Sequence, residues 1–273
     1  MPHNEKLLQL RAHEVISDRE MKRMQIAEPA KPATPAQMQE GQAGMKYLER
    51  FITTDPDLIA VKEKVLKLAP IHHPVMILGD SGTGKELIAR ALHGSRTGRF
   101  IGINCAAISE NLIESELFGH VKGSFTGAYS DKPGLFAYAV NGTAFLDEIG
   151  DLPYGLQAKL LRAIQTKHIR RVGSVEDEEI NCRIVCATHK DIQVKLNETF
   201  RLDLYYRLST FVLKLKPLCE RPFADLVALA KHFGGDETDA EVFYNNRTRM
   251  LGNIRQIEQY FARKKVFGTA EWE

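Results

Sequence analysis

Two short segments carry residue types whose spacing can bind and cleave a chain of phosphates. The first is "GDSGTGKE", residues 79–86, where Gly79, Gly84 and Lys85 satisfy the pattern G-x-x-x-x-G-K. Glycines in such a turn let backbone N–H groups face phosphate oxygens, and a helix starting at its end adds a favourable dipole. Asp80, Ser81, Gly82 and Thr83 fill the turn, and Lys85 is expected to reach the β- and γ-phosphates of a nucleotide. Glu86 stands where a Ser or Thr usually offers a hydroxyl to Mg²⁺. The second segment is "GTAFLDEIG", residues 142–150, an apolar strand that ends in Asp147 and Glu148. Ligands of parallel sheets gather at the carboxyl ends of strands. Asp147 is expected to hold Mg²⁺ with its waters, and Glu148 to polarise the water that attacks the γ-phosphate. Either segment alone has a plainer reading, as a glycine-rich turn or as a solvated strand end. Together, in this order, they predict an ATP site.

The elements that must position these residues follow from apolar patterning. Val75–Leu78 is a short apolar run before the glycine-rich turn, and "KELIARALH" is the helix after it. Phe100–Asn104, Thr143–Leu146 and Arg183–Ala187 are further strands, with helical patterns at "NLIESELF" and "LQAKLLRAIQ" between them. Such alternation predicts an α/β fold, a mainly parallel sheet flanked by helices. Residues 4–27 could form a helix, and 28–44, "EPAKPATPAQMQEGQAG", read as a Pro/Ala-rich linker, so folded structure is expected from about Met45.

The hydrophobic share of 44% supports a real core, and a net charge of +2 gives no global signal for nucleic acid. No apolar run approaches the length of a membrane span, and the charged N-terminus lacks a signal peptide's apolar stretch. Cys105, Cys182, Cys186 and Cys219 are read as reduced core residues of a cytoplasmic protein.

The segments "GDSGTGKELIARALH", "INCAAISENLIESELFGHVKGSFTGA", "GTAFLDEIGDL", "LQAKLLRAIQ" and "FRLDLYYRL" together resemble the AAA+ P-loop ATPase module of bacterial enhancer-binding proteins, the activators of sigma-54 RNA polymerase. The resemblance spans roughly residues 45–265. It implies an ATPase subdomain over 45–217, a helical lid over 218–273, and ATP with Mg²⁺ as cofactors. Gly123, Ser124, Phe125, Thr126, Gly127 and Ala128 are similar to the family's GAFTGA loop, which contacts sigma-54, with Ser124 in place of Ala. Asn104 matches the asparagine that pairs with the catalytic glutamate, here Glu148. Arg201 and Arg207 match arginines that reach a neighbouring subunit's γ-phosphate, which implies a ring, hexameric in the family. Segment 168–180 resembles a second insertion, a hairpin below the loop, and Arg255 in "LGNIRQIE" matches the lid's sensor arginine.

Three departures stand out. His189 occupies a position where the family usually has Asn, which there can orient the attacking water or γ-phosphate. The lid is short, with Met250-Leu251 in place of Trp-Pro, which predicts two or three helices and leaves Arg255 free not to reach the nucleotide. A helix-turn-helix is missing from the sequence, so promoter DNA is expected to be reached only indirectly, through a partner. The resemblance implies an ATP-hydrolysing activator that remodels the sigma-54 polymerase closed complex. The alternative is a weakly active or non-hydrolysing subunit that joins rings of a related activator.

Overall fold

The computed structural model describes residues 44–193 and 196–268. The helix expected over 4–27 and nearly all of the 28–44 linker lie outside the described residues. A helical stretch at 44–50 leads in. Then follow α1 (Pro56–Leu68), β1 (Val75–Leu78), α2 (Lys85–His93), β2 (Phe100–Asn104) and α3 (Glu110–Phe118). A two-residue pair, β3 (Gly119–His120) with β4 (Lys132–Pro133), closes an insertion before α4 (Leu135–Tyr138) and β5 (Thr143–Asp147). Next come α5 (Tyr154–Thr166), a hairpin of β6 (His168–Arg170) and β7 (Asp177–Glu179), β8 (Arg183–Thr188), α6 (Leu202–Leu208) and β9 (Phe211–Lys214). Helices α7 (Phe223–His232), α8 (Glu237–Asn246) and α9 (Ile254–Phe267) finish the described chain.

Five strands form one parallel sheet in the order β2-β5-β8-β1-β9. Sequence reading names four of them. It misses β9, whose "FVLK" alternates apolar with exposed positions because it lies at an edge. The central strand β8 is buried at all six residues, as expected for a strand covered on both faces. Side chains alternate between faces, and this sorts them into two cores. Met76, Ala144, Leu146, Ile184 and Cys186 join the cluster under α3 and α5. Val75, Ile77, Phe145, Val185 and Ala187 join the cluster under α1 and α2.

A third cluster belongs to the three C-terminal helices and includes Leu226, Leu229, Phe243, Met250 and Ile257. Met250 is 3% exposed while Leu251 is 84% exposed, so only the first of the two residues replacing Trp-Pro contributes to this core. Asp239 ties α8 to α9 by accepting from Tyr260 Oη at 2.9 Å and Lys264 Nζ at 2.6 Å. Cys219 is exposed, which corrects its reading as a core residue; it sits in a short turn after β9 rather than in a strand or helix face. Among the described residues no helix is long and apolar enough to cross a membrane.

Candidate nucleotide site

The carboxyl end of β1 runs into the turn 79–84, and α2 starts at Lys85. Two glycines have backbones that a larger residue would strain: Gly82 has φ +76° and Gly84 has φ +101°. Each is also crowded. A Cβ on Gly82 would meet Gly252 O at 2.1 Å, and one on Gly84 would meet the Phe51 ring at 2.8 Å. Lys85 is 7% exposed and its Nζ donates to Gly79 O at 2.7 Å and Asp80 O at 3.2 Å. The same Nζ stands 3.4 Å from Glu148 Oε1.

Asp147 is the last residue of β5 and pairs in register with Asn104 of β2. Burial, and then the charge of Glu148, push its carboxyl above the ordinary range, with Lys85 opposing. Asp147 and Glu148 thus place two carboxyl groups side by side at the carboxyl end of β5, where a divalent cation could be held. Glu148 has φ +51°, which swings its side chain off the strand direction. Its Oε2 accepts from His189 N at 3.1 Å and contacts His189 Nδ1 at 2.7 Å. Hence the expected Asn104–Glu148 pair is not what the structure shows. Asn104 Nδ2 reaches Asp147 Oδ2 at 3.4 Å, and its Oδ1 accepts from Ala106 N and Ala107 N. The strand register aims Asn104 at Asp147, while the turned backbone of Glu148 delivers its carboxylate to His189.

The C-terminal helices close the other side of the cleft. Ser81, Gly82, Gly84, Lys85, Glu86, Asp147, Glu148 and Arg255 line one continuous cavity. Arg255 thus reaches the cleft despite the short lid, because the turn before α9 is fastened to the phosphate loop. Asn253 makes this joint. It is 2% exposed, has φ +52°, donates from Nδ2 to Ser81 O at 2.9 Å and accepts from Leu218 N at 2.6 Å. Ile254 N donates to Gly82 O at 3.1 Å. A second fastening runs through Arg221, which donates to Thr83 O at 3.2 Å and lies 3.8 Å from Asp225. Asp225, fully buried, accepts from Thr53 Oγ1, Thr54 N, Thr54 Oγ1 and Asp55 N. Sequence reading misses Asn253, Arg221 and Asp225. It also misses the apolar end of the cleft, where Phe51, Ile52, Leu229, Phe233 and Ile254 gather. The "GN" before Ile254 was the available signal, since Asn tolerates positive φ better than other non-glycine residues.

Not all expected site residues converge. Gly79, Asp80 and His189 border an adjoining depression, and His189 touches the cleft only through Glu148. Arg201 and Arg207 are absent from the cleft lining. Arg201 forks onto Asp203, with Nε to Oδ1 at 3.0 Å and NH2 to Oδ2 at 2.8 Å.

The loop 123–128 is a compact turn, with Gly123 N donating to Ala128 O at 2.8 Å and Ala128 N to Phe125 O at 3.0 Å. Phe125 is 36% exposed and packs edge-on against His120, ring centres 5.0 Å apart. His120 Nδ1 in turn meets Ser115 Oγ of α3 at 2.6 Å. The hairpin segment supports the loop: Val121 N donates to Val172 O at 3.1 Å and Val172 N to Gly119 O at 2.9 Å.

The model of the sigma-54 interaction domain matches residues 51–214. The response regulator protein PilR of Pseudomonas aeruginosa is 45% identical over 230 residues, covering 78% of this chain and 51% of its own length. The Psp operon transcriptional activator of Escherichia coli is 42% identical over 246 residues, covering 83% of this chain and 75% of its own length. A crystal structure of NtrX from Brucella abortus in complex with ATP superposes with a TM-score of 0.70 at 25% identity, covering 98% of this chain and 57% of that one. The chain therefore spans about half the length of some of its relatives.

Proposed function

The chain belongs to the sigma-54 interaction domain family, with an AAA+ fold, and from that premise we propose that it is an ATPase that remodels the sigma-54 polymerase closed complex. The observation that carries the reading is the meeting of Lys85, Asp147, Glu148 and Arg255 in one cleft between the sheet and the C-terminal helices. The phosphate loop and Lys85 would hold the phosphates, and the apolar end formed by Phe51, Ile52 and Leu229 would receive the base. Mg²⁺, held through Asp147, would supply charge to the phosphate oxygens. Glu148 would take a proton from the attacking water.

Both oxygens of Glu148 are engaged, one near Lys85 and one with His189. Turning Lys85 from Gly79 O and Glu148 toward phosphate would free Oε1, so substrate binding itself would release the base. Arg201 and Arg207 lie outside their own cleft and would serve a neighbour's site in a head-to-tail ring, Arg201 on leaving Asp203. The loop 123–128 would present Phe125 and Thr126 to sigma-54.

The test is ATPase rate against protein concentration. A rate per protomer that rises with concentration supports a ring with shared sites. No hydrolysis at any concentration would sink the proposal. Capture of sigma-54 with a γ-phosphate mimic, compared between the native protein and Phe125→Ala, tests the loop; equal capture would remove Phe125 from it.

A further inference from the structure

The amino-terminal edge of the sheet, opposite the nucleotide cleft, holds a second charged cavity of about 350 Å³. It is lined by Arg96, Arg183, His72, Ser95, Thr97 and Asn181 among others, and no carboxylate residue is among its described lining. Arg183 opens β8 and is 1% exposed. Its NH1 donates to Ala69 O at 3.1 Å and Leu92 O at 2.7 Å. Arg96 NH1 donates to the same two carbonyls at 2.7 and 3.2 Å, and also to His93 O. Its NH2 donates to Ile71 O at 2.8 Å. Two guanidinium groups thus share two acceptors and stand side by side.

These contacts cap the carboxyl ends of α1 and α2, which explains part of the arrangement. Each helix end supplies roughly half a negative charge, so two ends offset about one of the two positive charges. The N–H groups are not used up either. Arg96 Nε, Arg183 Nε and Arg183 NH2 are buried without a partner, and a buried donor left without an acceptor is unfavourable. Burial, and then the charge of Arg96, push Arg183 down to about 9. Burial, and then the positive charges of Arg96, Arg183 and Lys167, push His72 below its ordinary value.

We propose that this cavity is a binding site for a phosphate group, held by Arg96 and Arg183 at its floor and His72 at its mouth. A tetrahedral oxyanion entering the cavity would accept from these three nitrogens as the guanidinium groups turn toward it, and would cancel the remaining charge. Ser95, Thr97 and Asn181 offer further donors. The source is inorganic phosphate or a small phosphorylated molecule. The site is separate from the cleft and does not depend on hydrolysis there.

The test is calorimetric titration of the full chain carrying Lys85→Ala, which weakens phosphate binding at the nucleotide loop, at constant ionic strength. Inorganic phosphate should bind at one site. Arg183→Gln and His72→Glu should each weaken it by at least about tenfold. His72 is exposed, so His72→Glu decides the matter if Arg183→Gln fails to fold. Ribose 5-phosphate and ribose are the second arm. Tighter binding of ribose 5-phosphate than of phosphate assigns a phosphorylated ligand, and equal binding assigns free phosphate. The proposal is overturned by no phosphate binding in the Lys85→Ala chain, by unchanged affinity in His72→Glu, or by ribose binding as well as its phosphate.

Discussion

The two edges of the one parallel sheet handle charge in opposite ways. At the carboxyl edge buried Lys85 faces Glu148, and the half-buried Lys190 and Lys216 bond Asp151 and Asp55. At the amino edge Arg96 and Arg183 have only carbonyl oxygens. Paired charges can exchange partners without leaving any group bare, which suits a site where substrate must enter and products must leave. Unpaired cations attract an anion and retain it, which suits a fixed binding site. The same backbone direction thus gives one edge of paired charges and one of unpaired cations.

Five substitutions sharpen this contrast. The largest effect is expected for Glu148→Gln, which keeps the shape of the carboxyl edge but removes the proposed base. ATP turnover should fall by about a hundredfold or more while nucleotide binding persists, as read by steady-state ATPase and by equilibrium binding. Next is Asp225→Ala. It leaves Arg221 buried without its acid and four donors idle, at a cost of about 3 kcal/mol in urea unfolding. A cost below 1 kcal/mol would show that Arg221, like the amino-edge arginines, does not need an acid.

Asn253→Ala removes two buried hydrogen bonds and forces a positive φ on alanine, so about 2 kcal/mol is expected, with weaker nucleotide binding as the lid loses its hold on Ser81. The smallest effects come from two carboxyls with opposite signs. Burial tends to raise Asp55, but Lys216 and the N–H groups of Leu58 and Asp57 outweigh it and hold the carboxyl below its usual range. Its contribution is present above the unfolded value and is lost as pH falls through the lower folded value. Asp55→Asn should therefore cost about 1 kcal/mol at neutral pH and nothing in strong acid. Asp147 is raised instead, so its ionised form destabilises the protein as pH rises through the folded value. Asp147→Asn should slightly stabilise the nucleotide-free protein at pH 7, with the gain vanishing in acid.

What sequence reading could see was local. The glycine spacing before Lys85, the apolar run before Asp147 and the helical patterns each lie within a dozen residues, and the fold follows from their alternation. Partners set by distant backbone were hidden. Nothing near Glu148 signals that a positive φ would hand its carboxylate to His189 rather than to Asn104. Arg96 and Arg183 look like unrelated surface residues until β8 and the end of α2 are side by side. Asp225 looks like an exposed helix residue; only the fold brings it against residues 53–55.

The strand order has a consequence for synthesis on the ribosome. Edge strand β2 can pair only with β5, and β1, made early, finds its neighbours β8 and β9 only among much later residues. Phe100–Asn104 has no partner until Thr143–Asp147 has emerged, Val75–Leu78 has none until Val185–Thr188 has, and the sheet is complete only with Lys214. The loop 79–84, made before four of the five strands, becomes a site only once its last neighbours have been made.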